Sequence, residues 1–262
     1  MDKTTKKKKK KIQNPIDSTM SLGDHLEELR MRLIFALVGL IACSIICLIF
    51  CSKIINIIEG PYLEAMGQEA RLQTLAPADG IVSYIKIALI SGLILSSPWV
   101  FYQIWMFVAA GLYPHERRYV YLATPFSAIL FVIGAIFFIV YVAPLTLKFL
   151  VKFNQRILGV SSNFTFANYI SFVTMLMLIF GVAFQTPIAI FFLNRTGLVS
   201  IRALQKSRKF VLLGVFVVAA MATPPDVISQ VTLAVPLYAL FELGILLSWF
   251  AEHRRKSQGT AE

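Results

Sequence analysis

The sequence predicts an all-α polytopic membrane protein with six transmembrane helices, the last two short, and both the N-terminus and the C-terminus cytoplasmic. Three observations carry this expectation. Of 262 residues, 57% are hydrophobic and 15% charged, against about 25% charged in soluble domains. Uncharged stretches long enough to span a bilayer recur along the chain. Lys and Arg gather in alternate loops between them, the bias that sets orientation. The net charge of +11 therefore serves the membrane, and no nucleic-acid partner is called for.

Residues 1–20 hold Lys3 and the run Lys6 to Lys11 without a large apolar cluster, so they read as a disordered basic tail. Its role is a topology signal or an attraction to anionic lipid, about 1 kcal/mol per Lys at the surface. A six-helix membrane domain is expected over 21–252, with a basic C-terminal tail at 253–262. It opens on an amphipathic helix: Ser21 and Asp24 are helix-starting residues, and Leu22, Leu26, Leu29 and Leu33 recur at helical spacing. This helix runs into 33–52, twenty residues without a charge, which at 1.5 Å per residue crosses a core of about 30 Å. The run is too long for a cleaved signal core. Cys43, Cys47 and Cys51 lie in it at a spacing of four, on one expected helix face. With no His, Asp or Glu beside them they read as packing residues, not as a metal or redox site.

Three further spans are expected at 87–113, 119–147 and 168–194. After a basic stretch at 195–209 come two shorter apolar pieces, 210–223 and 227–241, separated by Pro224, Pro225 and Asp226 and closed by Glu242. They are two thin tilted helices in a thinned bilayer or one re-entrant hairpin. Nineteen Lys and Arg fall on the side of the termini and five on the other, with Lys86 opening the second run where it snorkels to an interface. The outer segments 53–85 and 144–167 carry aromatics and prolines and are expected to cap the bundle. No internal repeat is visible, which weakens a small-solute transporter reading, the main alternative.

Charges near a membrane are costly and need a partner or a task. Glu28 precedes the first span, with Arg30 beside it and Arg32 one turn on; Glu116 stands in the turn after the second span, before Arg117 and Arg118. Spacing alone favours helix-end pairing of each carboxylate with its own arginines. The patterns of metalloprotease, serine-hydrolase and intramembrane catalytic sites are absent, so the chain reads as neither enzyme nor cofactor carrier.

Three motifs in order then carry a resemblance. They are HLEELRMR at 25–32, LYPHERR at 112–118, and ATPPDVISQ at 222–230 followed by Pro236 and LFELG at 240–244. Together they resemble the TatC family over about residues 21 to 252. The resemblance implies a six-helix receptor in the cytoplasmic (inner) membrane. It binds signal peptides bearing paired arginines and exports folded proteins on the proton-motive force. Single-span partners of the TatA and TatB type, in an oligomeric complex, are implied with it.

A guanidinium offers a planar fork that a carboxylate accepts bidentately, and lysine does not. By resemblance, Glu28 and Glu116 receive the signal's arginines, Arg30 and Arg32 shape the first site, and Phe107 and Leu112 lie near the receptor surface. Pro61 and Pro98 take shape-setting positions. Thr223, Asp226 and Gln230, around the last turn, resemble contacts to partner helices, although capping explains Thr223 and Gln230 as well. Gln185 replaces an acid that relatives carry on span four, which argues against a proton relay there, and Ile139 replaces an aromatic hydroxyl on span three. The receptor reading requires Glu28 and Glu116 to stand side by side and not to be neutralised by the chain's own arginines.

Overall fold

A computed structural model describes residues 22–112, 117–159, 163–223 and 227–259. The expected basic tail at 1–20, Glu116 and the Pro224 to Asp226 turn lie outside the described residues. Among those described, regular structure is helical, with a lone bridge between Gln73 and Thr165. Five helical stretches are long and apolar enough to cross a membrane: His25–Ile49, Asp79–Ala110, Tyr119–Ile157, Phe166–Arg195 and Val227–His253.

Helix α1 (Leu22–Ile49) carries the first of these. It ends earlier than the charge pattern suggested, because the backbone turns at Phe50 and a new helix, α2 (Cys51–Met66), begins there. Cys51 and Ser52 thus belong to α2, so Cys51 stands on a different helix from Cys43 and Cys47. Helix α2 replaces the expected loop because its apolar positions form one face, burying Cys51, Ile58, Pro61 and Tyr62. Gly67, at φ 102°, ends it in a conformation that favours glycine.

Helix α3 (Asp79–Ala110) starts eight residues before the expected second span. Lys86 does not end the helix because its ammonium donates to Ser171 Oγ at 2.8 Å. Helix α4 (Arg117–Phe137) continues through a wide turn at Phe138–Val142 into α5 (Ala143–Phe153), so the apolar stretch outruns the expected boundary at Leu147. The wide turn immediately precedes Pro144, whose missing N–H would otherwise break the ladder. The fourth span is two helices, α6 (Phe166–Ala183) and α7 (Thr186–Arg195), joined at Phe184 and Gln185 with Pro187 in the first turn of α7.

The last two helices, α8 (Ile201–Ala222) and α9 (Val227–Gly259), pack antiparallel: Arg208 meets Glu242, and Gln230 donates to the Phe216 carbonyl. The expectation of two short final helices fails for α9, which has 33 residues. Glu242 does not stop it, because the carboxylate is bonded by Arg208 at 2.8 Å and by the Tyr238 hydroxyl at 2.8 Å.

The main core sits in the half of the bundle toward α2 and α5. Tyr169, Phe138, Phe180, Ile58, Ile87 and Leu147 are fully buried there, with Ala219, Leu233 and Leu237 joining from α8 and α9. Leu33, Val38, Ile41 and Ile45 of α1 are instead exposed. In a bilayer such a face meets lipid without penalty. Helix α1 is held by close approach to α3. Gly92 leaves no room for a Cβ against the Ser44 backbone, nor Gly39 against the Trp99 ring, and Trp99 Nε1 donates to the Phe35 carbonyl at 2.8 Å.

Candidate functional site

Where α1 begins and α3 ends, the two helices face each other with polar and aromatic groups in place of small ones. His25, Glu28 and Arg32 recur at helical spacing on the α1 face toward α3, which presents Gln103 and Phe107 one turn apart. The His25 and Phe107 rings stack with centroids 4.5 Å apart. One turn deeper, Arg32 donates through Nη1 to Gln103 Oε1 at 3.2 Å. The same guanidinium reaches Glu28 Oε1 through Nε at 3.4 Å and Nη2 at 3.2 Å.

Gln103 is 3% exposed, so its amide needs a partner, and Arg32 supplies one. Glu28 and Arg32 remain partly open, at 22% and 27% exposure of their side chains. Arg32 is thereby pinned from two helices. Both of its bonds to Glu28 land on Oε1, and Oε2 accepts no hydrogen bond from a described residue. A carboxylate has capacity for about four donors, so this oxygen can receive a further cation.

Spacing foresaw the bond between Glu28 and Arg32, which partly neutralises the carboxylate. Arg30, two positions on and exposed, takes no part in the network. Leu112 is half-buried against a small cluster of Ala109, Val120 and Phe192. The position of Glu116 relative to Glu28 lies outside the described residues. Phe107 stands inside the site through His25, whereas His25 and Gln103 were not singled out by sequence reasoning. The signal for Gln103 was a lone amide in an otherwise apolar run.

The remaining motif residues lie elsewhere. Pro98 lies inside α3, which continues through it, and Pro61 is buried in α2. Gln185 sits at the α6/α7 break and donates to the Ser127 carbonyl of α4 at 3.0 Å. Thr223 bonds back to Ala219 at 2.8 Å, ending α8, and Gln230 reaches the Phe216 carbonyl at 2.9 Å. Asp226 is not among the described residues. Among those described, no group of His, Cys, Asp and Glu gathers as a metal site would.

On the opposite side of the molecule Tyr169 donates to the Ile58 carbonyl at 2.6 Å, Lys148 pairs with Glu64 at 2.6 Å, and Phe166 N–H bonds to the Gln73 carbonyl at 2.8 Å. Burial pushes the Glu59 carboxyl above its usual range. Burial, with help from Glu59, raises the Tyr62 phenol too.

Residues 24–236 match a family model described as Sec-independent protein translocase protein (TatC). The chain is 38% identical over 235 residues to the protein of that name from Escherichia coli K12, covering 90% of each chain. To the Aquifex aeolicus protein it is 36% identical over 237 residues, covering 90% of this chain and 98% of the other. A crystal structure titled as the twin arginine translocase receptor TatC superposes with a TM-score of 0.78 at 37% identity, over 87% of this chain and 99% of that one.

Proposed function

The chain belongs to the TatC family, and from that premise we propose that the end of α1 and α3 is where it takes up the arginines of a client's signal peptide. As a multi-pass membrane protein of this family, the chain is the receptor subunit of the twin-arginine translocase. What remains to be assigned is which of its residues bind.

The observation that carries the proposal is the one-sided engagement of Glu28. Arg32, clamped by Gln103, holds one carboxylate oxygen in place and leaves the other available. An arriving guanidinium donates to that oxygen without first expelling Arg32. Fixing the acceptor beforehand lowers the ordering cost of binding. Glu116, four positions beyond Leu112 in sequence, is proposed as the acceptor for the second arginine, and Phe107 and Leu112 as the apolar bed for the signal's hydrophobic part. Arg30 is proposed to act only through the local potential.

We further propose six crossings with both termini cytoplasmic, in the inner membrane. Helix α9 is long and apolar enough to cross fully. Its antiparallel partner α8 must then carry the chain back across, although its uncharged part is short. The 19-to-5 split of basic residues supports the orientation. TatA- and TatB-type helices are the proposed partners, with Thr223, Asp226 and Gln230 near their contact and Gln185, Pro61 and Pro98 setting shape. The membrane domain is proposed to run from residue 21 to 252. No observation favours small-solute transport.

Site-specific crosslinking from positions 28 and 116 to a twin-arginine signal and to its twin-lysine variant tests the assignment. Strong crosslinks to the arginine form and weak ones to the lysine form are expected, and Glu116→Ala is expected to abolish them. Undiminished crosslinking in that variant would refute its role.

A further inference from the structure

A cleft of about 500 Å³ opens between α4, α7 and α9, lined by none of His25, Glu28, Arg32, Gln103 and Phe107. Leu122, Phe126, Pro187, Phe191 and Leu247 give it an apolar lining, and Arg195 with Tyr119 stands at one end. The Arg195 guanidinium lies over the Tyr119 ring, 5.0 Å from its centre. Arg195 is half-buried and has no carboxylate partner among the described residues. A half-buried cation at a membrane boundary, stacked on one face and without a carboxylate among the described residues, suits an anion.

We propose that this cleft holds one acyl chain of an anionic phospholipid of the cytoplasmic leaflet, with Arg195 binding the headgroup phosphate. Length decides between a lipid and a partner helix. The cleft runs along α7 from Pro187 to Arg195 and along α4 from Tyr119 to Leu130, which is about 12 to 16 Å at 1.5 Å per residue. That matches one leaflet, half of a hydrocarbon core of about 30 Å, and falls short of what a spanning helix needs. The charge is at the right end: the lining is apolar except where Arg195 would meet the phosphates. The Arg fork suits a phosphate oxygen pair, and basic pockets between spanning helices on the cytoplasmic side bind such headgroups. The choice of leaflet rests on the orientation proposed above; the lipid contact itself does not.

The test is lipid retention by the full-length protein in detergent, read by native mass spectrometry against added phosphatidylglycerol or phosphatidylcholine. Phosphatidylglycerol is expected to be retained and phosphatidylcholine not. Arg195→Gln should weaken retention about five- to tenfold, Arg195→Lys should restore part of it, and Arg202→Gln, an exposed cation outside the cleft, should change nothing. Ala123→Phe, which fills the cleft with Arg195 intact, should also lose the lipid. Equal binding of the two lipids, or retention unchanged by both Arg195→Gln and Ala123→Phe, overturns the proposal. So does crosslinking in membranes from position 123 to a single-span subunit in place of lipid. If Arg195→Gln does not fold, the headgroup comparison on the unaltered chain and Ala123→Phe still decide. A wrong orientation is recognised separately, by tag accessibility from each side of the membrane.

Discussion

The two ends of the bundle handle polar groups in opposite ways. Around α2 and α5 several hydroxyls and charges are closed on carbonyls or on each other, Tyr169 on the Ile58 carbonyl, Tyr84 on the Leu48 carbonyl and Lys148 on Glu64, although the buried Thr146 hydroxyl has no partner among the described residues. Where α1 begins, a buried amide and an arginine hold a carboxylate that has an oxygen to spare. The first arrangement stabilises, since buried polar groups are costly only when unpaired. The second stabilises less and is prepared to bind. On this difference rests the proposed division into a scaffold end and a receiving end.

The strongest challenge to that division is Glu28→Ala. Removal of a charge-assisted acceptor is expected to weaken binding of a twin-arginine peptide about 10- to 100-fold, with thermal stability barely altered; a stability loss with intact binding would reverse the roles of the two ends. Tyr169→Phe is the mirror experiment. It leaves a buried carbonyl without its donor and should cost about 1 to 3 kcal/mol of stability in denaturation while peptide affinity stays the same. Gln103→Leu sharpens the comparison. Released from the amide, Arg32 can take both Glu28 oxygens, so a twofold to tenfold loss of peptide affinity is expected in fluorescence titration.

The smallest effect concerns pH at the scaffold end. Because burial raises the Glu59 pKa in the folded state, folding takes up a proton between the ordinary glutamate range and that raised value. Stability therefore falls as pH rises through this window. Glu59→Gln should flatten that slope in melting curves recorded from acid to neutral pH, and an unchanged slope would assign the effect to another group.

Hydropathy made most helices legible, since an uncharged run of twenty residues in lipid has few alternatives to a helix. It misjudged their ends wherever a charge found a partner far away in sequence. Lys86 with Ser171 and Glu242 with Arg208 both lie inside helices that the charge pattern had cut short. Helix α2 was missed because Lys53, Glu59 and Glu64 break up its apolar pattern. At the binding end the local pair Glu28 and Arg32 could be read from a spacing of four. Gln103, 71 positions away from Arg32, could not, because only packing brings α3 there. The motifs did not show that Arg30 stands apart from the network.

The contact of Gly92 with the Ser44 backbone has a mechanical outcome. Two rods that nearly touch at mid-length, and are tied again by Trp99, resist sliding past one another. If the proposed site at their tips takes a signal peptide, no axial shift of α1 is expected from it. The expected response is a tilt of the pair as one lever, with its pivot at the Gly92 contact and its far arm toward α2.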